Sequence, residues 1–124
     1  MNDRVLLVED SPSQAVVYAA YLPESEFRVD VVGSAEEALE RFDAADPHAV
    51  LLDLGLPGMQ GLDLLPELLR RRPGLPCIVI TDQASTDTAV AALKAGAFDF
   101  LTKPFGASRL LVTMRNALRQ GELA

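Results

Sequence analysis

Short apolar runs alternate along the chain with segments in which apolar residues recur every three or four positions. Residues 4–8, 49–52 and 75–80 are nearly continuous apolar runs bounded by charged or turn-forming residues, which is typical of strands buried on both faces. Residues 27–32 alternate as a half-buried strand does, and residues 99–102 are interpreted as a short strand. The pattern therefore predicts five strands, the third ending at Asp53 and the fourth at Thr81.

Helix-capping signals follow the strands. Ser11-Pro12 supplies an N-cap with proline at the first helical position, and Ser34 with Glu37 forms a capping box. Ser85 or Thr86 caps a fourth helix that ends at Gly96, and a last helix covers about residues 107–120. The third helix contains Pro66, so it either begins late or is kinked there. Strand then helix, five times, predicts an α/β fold with a parallel sheet and helices on both faces.

Composition narrows the class of protein. The 124 residues, 49% of them hydrophobic, suit one globular domain, and no apolar run approaches the roughly 18 residues of a membrane span. A net charge of -7 disfavours direct binding to nucleic acid or to anionic membranes. The single cysteine, Cys77, lies in a strand and fits a reducing compartment, so we expect a cytoplasmic location. The single histidine, His48, is interpreted as a solvated turn residue.

Residues that can do chemistry follow four of the five strands. The acidic pair Glu9-Asp10 follows the first strand, Asp53 and Thr81 end the third and fourth, and Lys103 follows the fifth. In a parallel sheet these ends share one edge, so the side chains can converge. Each residue alone could be a helix cap, a strand terminus or a surface charge. Together they favour a functional site.

The expected chemistry is phosphoryl transfer. Three carboxylates brought together repel one another and favour a bound cation, and an oxygen-only ligand set suits Mg²⁺. Lys103 adds a positive charge and Thr81 a hydroxyl donor for a phosphoryl group. Asp53 is the best candidate for the nucleophile because it lies centrally and aspartyl phosphates are an established covalent route.

With these residues in place, the whole chain resembles a response-regulator receiver domain of two-component signalling. The resemblance implies a flavodoxin-like, CheY-like fold with strand order 2-1-3-4-5. It implies that Asp53 is the phosphoacceptor, with a sensor histidine kinase as donor, in a domain that catalyses only its own phosphorylation and dephosphorylation. In the same comparison, Glu9-Asp10 corresponds to the family's acidic pair, Thr81 and Phe100 to its two switch residues, and Lys103-Pro104 to its Lys-Pro pair.

The resemblance also implies details of the site. Mg²⁺ is expected on Asp10, Asp53 and the backbone carbonyl of Gly55, with Glu9 reaching it largely through water. A cis peptide before Pro104 would aim Lys103 inward. After phosphorylation Thr81 would bond the phosphoryl group, and Phe100 would move into the vacated space.

Residues 86–105 resemble receivers of NtrC-type transcription activators, which carry an ATPase domain and a DNA-binding domain after the receiver. We therefore expect residues 1–124 to be the N-terminal module of a larger regulator, with a homodimer through helix 4, strand 5 and helix 5. The alternatives are a free-standing chemotaxis-type receiver and a pseudo-receiver that binds partners without phosphorylation. A haloacid-dehalogenase-type phosphatase needs a second aspartate where Gly55 stands.

One position departs from the family pattern. The residue after the switch threonine is usually small, but here it is Asp82. Its carboxylate either repels incoming phosphate or tightens cation binding, or else it points to solvent or caps the next helix. We expect it to slow phosphotransfer from small donors. Gly55 and Gln83 occupy positions that border the attacking water in the family, so they are expected to tune the phosphate lifetime together with Asp82.

Overall fold

The computed structural model describes residues 2–56, 61–82 and 86–123, without the side chains of Thr86 and of residues 121–123. Strands and helices alternate along these ranges. The strands are β1 (Asp3–Val8), β2 (Phe27–Val32), β3 (Ala49–Asp53), β4 (Cys77–Thr81) and β5 (Asp99–Thr102). The helices are α1 (Pro12–Ala20), α2 (Ala35–Ala45), α3 (Gly61–Arg71), α4 (Thr86–Lys94) and α5 (Ala107–Leu123).

The five strands form one parallel sheet in the order β2-β1-β3-β4-β5, which confirms the predicted fold. The strands β1, β3 and β4 are central, and β3 and β4 are buried along their whole length. Two hydrophobic clusters cover the two faces of the sheet. Helices α2, α3 and α4 contribute to one cluster, and α1 and α5 contribute to the other.

The caps predicted from local sequence are present. Ser11 Oγ accepts from the Gln14 N–H at 3.4 Å, and Pro12 is the first residue of α1. Ser34 Oγ accepts from the Glu37 N–H at 3.1 Å, but the Glu37 carboxylate accepts from the N–H of Gly33 rather than that of Ser34. Each cap fixes where a helix begins relative to the preceding strand.

The end of α4 shows why a glycine stands there. Gly96 has a φ of 108°, its N–H donates to the Leu93 carbonyl, and the Ala97 N–H donates to the Ala92 carbonyl. This is a Schellman ending, which needs a residue that tolerates positive φ. It turns the chain directly into β5.

Several boundaries differ from the sequence prediction. α3 begins at Gly61, so Pro66 lies inside the helix and the late-start alternative is wrong. β4 begins at Cys77 rather than at Leu75, and α5 extends to Leu123. The candidate cap Ser85 lies outside the described residues. The described part of the chain contains no helix long and apolar enough to span a membrane.

Cys77 and His48, to which the sequence assigned no function, differ in their burial and in their contacts. Cys77 is buried, and burial raises the pKa of its thiol to about 12, which suits an inert core residue. His48 is exposed, but it also extends the β1–β3 pairing beyond the regular strands. Its Nδ1 accepts from the Arg4 N–H at 2.9 Å, and its own N–H donates to the Arg4 carbonyl at 2.7 Å.

Candidate functional site

The carboxyl ends of the strands bring the predicted residues to one edge of the sheet. Asp53 and Thr81 are the last residues of β3 and β4, while Glu9 and Lys103 directly follow β1 and β5. Backbone hydrogen bonds hold these ends in register: the Leu54 N–H donates to the Ile80 carbonyl, and the Lys103 N–H donates to the Thr81 carbonyl at 2.8 Å. The site is thus an outcome of strand pairing.

The ammonium group of Lys103 lies among the carboxylates. Its Nζ donates to Asp53 Oδ2 at 2.8 Å and lies 3.6 Å from Glu9 Oε1. The lysine side chain is 18% exposed, whereas those of Asp53 and Glu9 are 7% and 1% exposed. The ion pair therefore lies in a poorly solvated setting where charge interactions are strong.

Asp53 is held as a carboxylate. Its Oδ1 accepts from the Gly55 N–H at 2.7 Å, and its Oδ2 accepts from Lys103. Burial would raise the pKa of Asp53, but the hydrogen bonds from the Lys103 ammonium and the Gly55 N–H outweigh it, so the pKa lies below its ordinary value. An ionised aspartate at a strand end is ready to act as a nucleophile.

Glu9 has the opposite electrostatic setting. Burial, followed by its closeness to Asp53, raises the pKa of Glu9 to about 7. Glu9 Oε2 accepts from the Ser11 N–H at 3.3 Å. Its Oε1 is buried without a hydrogen-bond partner, and no other buried side-chain oxygen or nitrogen of the described residues shares that condition. A buried, unsatisfied carboxylate oxygen indicates a place for a cation or its water.

The acidic cluster has the spacing of a cation site. Glu9, Asp10 and Asp53 each offer a carboxylate oxygen, and these oxygens lie within 4.8 Å of one another. Asp10 is exposed, whereas the other two are buried, so a cation there would remain open to water on one side. These residues could hold a small oxygen-seeking divalent cation.

A family model for the response regulator receiver domain matches residues 5–115. The chain belongs to that family. The receiver includes all of the site residues described above.

Relatives of known identity agree with this assignment. Over 114 residues the receiver is 41% identical to the regulatory protein LuxO of Vibrio cholerae, covering 92% of this chain and 25% of LuxO. Over 120 residues it is 35% identical to the transcriptional regulatory protein TcrA of Mycobacterium tuberculosis, covering 97% of this chain and 47% of TcrA. The receiver thus spans between a quarter and a half of the length of these regulators.

Solved structures show the same fold. The signal receiver domain of a LuxO repressor protein from Vibrio parahaemolyticus has a TM-score of 0.92 at 34% identity, covering 99% of this chain and 95% of that one. NtrX from Brucella abortus has a TM-score of 0.93 at 33% identity, covering 99% of the receiver and 28% of the NtrX chain. These relatives are consistent with the resemblance to NtrC-type receivers.

Thr81 and the neighbouring Asp82 lie at the border of the receiver's central site. Thr81 is buried, and Asp82 is exposed. Thr81, Asp82 and Gly55 line one cavity of about 420 Å³. Asp82 therefore borders the site rather than lying on a distant surface, while Gln83 lies outside the described residues.

The turn after β5 shapes the other side of the site. The Lys103–Pro104 peptide bond is cis. Phe100, three residues before the lysine, is half-buried against the α2–α3–α4 side of the core. It also borders an open cavity of about 410 Å³ with Arg109 and the Pro104 turn.

One site residue escaped prediction from the sequence. The side-chain carbonyl of Gln14 accepts from Lys103 Nζ at 2.6 Å. The only sequence signal is its place in the first turn of α1, immediately after the acidic pair. Its partner is 89 residues away, so a local pattern does not show the contact.

Proposed function

We propose that this receiver takes a phosphoryl group onto Asp53 from the phosphohistidine of a sensor kinase. The proposal rests on one observation: the ionised Asp53 lies 2.8 Å from the Lys103 ammonium at the edge of an acidic cluster. A carboxylate nucleophile, a fixed cation and a cation site are the components that phosphoryl transfer needs.

The chemistry follows from these residues. An Asp53 oxygen forms the new bond to phosphorus while the phosphorus–nitrogen bond of the donor breaks, and the electron pair stays on the imidazole. Lys103 neutralises charge on the phosphoryl oxygens from a position it already occupies. The Gly55 N–H holds the aspartate in one orientation. The domain acts on itself as a signalling module rather than as an enzyme turning over separate substrates.

The acidic cluster fits Mg²⁺. Glu9 Oε1, which has no hydrogen-bond partner, lies in a cluster of three close carboxylates that forms an oxygen-only site with an open side. Asp10, Asp53 and the Gly55 carbonyl would hold the ion, with Glu9 reaching it through water. When bound, the ion supplies positive charge that stabilises the phosphoryl oxygens.

The phosphoryl group would then change the conformation of the α4–β5–α5 side. Thr81 lies at the site edge, and its backbone carbonyl accepts from the Lys103 N–H, so its movement would be linked to the turn after β5. The half-buried ring of Phe100 packs against the core and borders an open cavity, which would give it space to change position. Gly55, Asp82 and Gln83 would tune how long the phosphoryl group lasts.

The proposed partners follow from this switch. Residues 1–124 would be the receiver module of a longer cytoplasmic regulator of transcription, controlling an output region that includes ATPase and DNA-binding domains. A homodimer would form through α4, β5 and α5, where Val90, Leu93 and Val112 are 41%, 46% and 53% exposed. Direct binding to nucleic acid is not part of the proposal, since the net charge is -7.

Acetyl phosphate with Mg²⁺ tests the phosphorylation proposal directly. We expect the intact mass to increase by one phosphoryl group, and beryllofluoride with Mg²⁺ to shift the amide NMR signals of Thr81 and β5. Labelling should be lost when EDTA removes the metal. A chain with no mass shift and no spectral change would instead be a pseudo-receiver.

Asp82 should slow phosphorylation by small anionic donors. It is exposed beside the site, and like charges in water interact by about 1 kcal/mol or less at several ångströms, so we expect Asp82→Ala to speed acetyl phosphate labelling about two- to fivefold. The measurement is the initial labelling rate by intact mass at low salt. Asp43→Ala removes the same charge from exposed α2 and is the control. Equal rates for the two variants would disprove a role for Asp82.

A further inference from the structure

The ammonium group of Lys103 is held from two sides by acceptors of different character. It donates to the Asp53 carboxylate at 2.8 Å and to the neutral Gln14 amide carbonyl at 2.6 Å. Asp53 is explained by charge pairing and by its proposed chemistry. Gln14 carries no charge, comes from a different element, and is used by no step of the proposed transfer.

Helix α1 holds the Gln14 amide at this place. The Gln14 N–H donates to the side-chain oxygen of the N-cap Ser11, and this hydrogen bond fixes the first turn of the helix. One turn later, the buried Tyr18 has its hydroxyl 3.5 Å from the Gln14 carbonyl oxygen. The Tyr18 ring stacks on Phe105, with centroids 4.9 Å apart and planes at 21°. The helix is therefore joined to the turn after β5 at two points, by the Gln14–Lys103 hydrogen bond and by the Tyr18–Phe105 stack.

We infer that Gln14 is a positioning residue that keeps the Lys103 ammonium beside Asp53 before the phosphoryl group arrives. The inference rests on the proposed function. A lysine side chain is flexible and loses considerable conformational entropy when it is fixed. A second acceptor on a rigid helix fixes the Lys103 side chain before the transfer step, so less of this entropy is lost during the step itself.

The neutral amide suits this position. A carboxylate there would also accept from Lys103, but it would add a negative charge where an anionic phosphoryl group must enter. An apolar side chain of similar length would leave the ammonium with Asp53 as its one close hydrogen-bond acceptor among the described residues. The amide supplies the hydrogen bond without the repulsion.

Gln14→Met tests the inference, since methionine keeps the length and removes the acceptor. In the full chain with saturating Mg²⁺, we expect the acetyl phosphate labelling rate to fall about three- to tenfold, the effect of losing one hydrogen bond. We also expect the Nζ signal of Lys103 in nitrogen-15 NMR of the unphosphorylated protein to broaden through faster exchange with water. Gln14→Glu keeps an acceptor and should retain the sharp Lys103 signal.

Gln120→Met makes the same exchange on an exposed residue of α5 and should change neither readout. If the wild type is labelled and Gln14→Met has the wild-type labelling rate or the wild-type Lys103 signal, the positioning role alone is overturned. A wild-type protein that takes no label would overturn the proposed function itself. The two failures are therefore distinguished by the wild-type measurement.

Discussion

Asp53→Asn should abolish labelling by acetyl phosphate. The asparagine amide has nearly the same shape, and its oxygen can still accept from the Gly55 N–H, but it is not a nucleophile toward phosphorus. The exchange also removes the carboxylate that pairs with Lys103 and one of the three carboxylates of the acidic cluster. We therefore expect no intact-mass shift. We also expect the Mg²⁺ affinity to fall by at least about tenfold, since loss of a group that only supports a metal ligand already costs that much.

The control separates loss of the nucleophile from loss of the fold. Asp43→Asn makes the same exchange on exposed α2 and should label as the wild type does. Asp53→Asn should keep the circular dichroism spectrum of the wild type, since its size is unchanged. A phosphoryl group found on Asp53→Asn, mapped by peptide mass to another residue, would show that the site assignment is wrong.

Local patterns were sufficient for most of the fold. Apolar runs, the Ser11 and Ser34 caps and the Gly96 ending each depend on neighbours a few residues away, and the strand–helix alternation then leaves few topologies. The convergence of the site residues could then be predicted, because parallel strands place their carboxyl ends on one edge of the sheet. Prediction was weakest where packing overrides local preference, as at Pro66, which lies inside α3 despite its missing N–H.

Contacts that do not follow from the shared edge of the strands were not predictable from the sequence. The Gln14–Lys103 hydrogen bond joins residues 89 apart, and no periodicity or motif marks it. The burial of Glu9 beside an exposed Asp10 was also unexpected, because two adjacent acidic residues look alike in sequence. Only the fold shows which of them lies under the sheet edge and which faces water. Sequence reasoning thus identified the site residues at the strand ends but not Gln14, and the structure shows what each one contacts.

Gly61→Ala should disturb the site without changing any residue that does chemistry. Gly61 is the buried first residue of α3, and a Cβ there would lie 2.8 Å from the Asp53 carbonyl oxygen and 2.9 Å from the Leu54 Cα. Both atoms are backbone at the end of β3, so either α3 or the segment that carries Asp53 must shift. Overpacking of this kind costs about 1–3 kcal/mol, and misplacing a reacting group by about 1 Å can cost on the order of 100-fold in rate.

The measurements are the free energy of unfolding in urea and the acetyl phosphate labelling rate of the folded variant. We expect both to fall, the rate by at least about tenfold. Gly33→Ala is the matched control, because a Cβ at Gly33 meets nothing within 4 Å. That variant should be as stable as the wild type or slightly more so, since alanine restricts the unfolded chain. If Gly61→Ala matched Gly33→Ala in both measurements, close packing of α3 against the end of β3 would not be what holds Asp53, the proposed phosphoacceptor, in place.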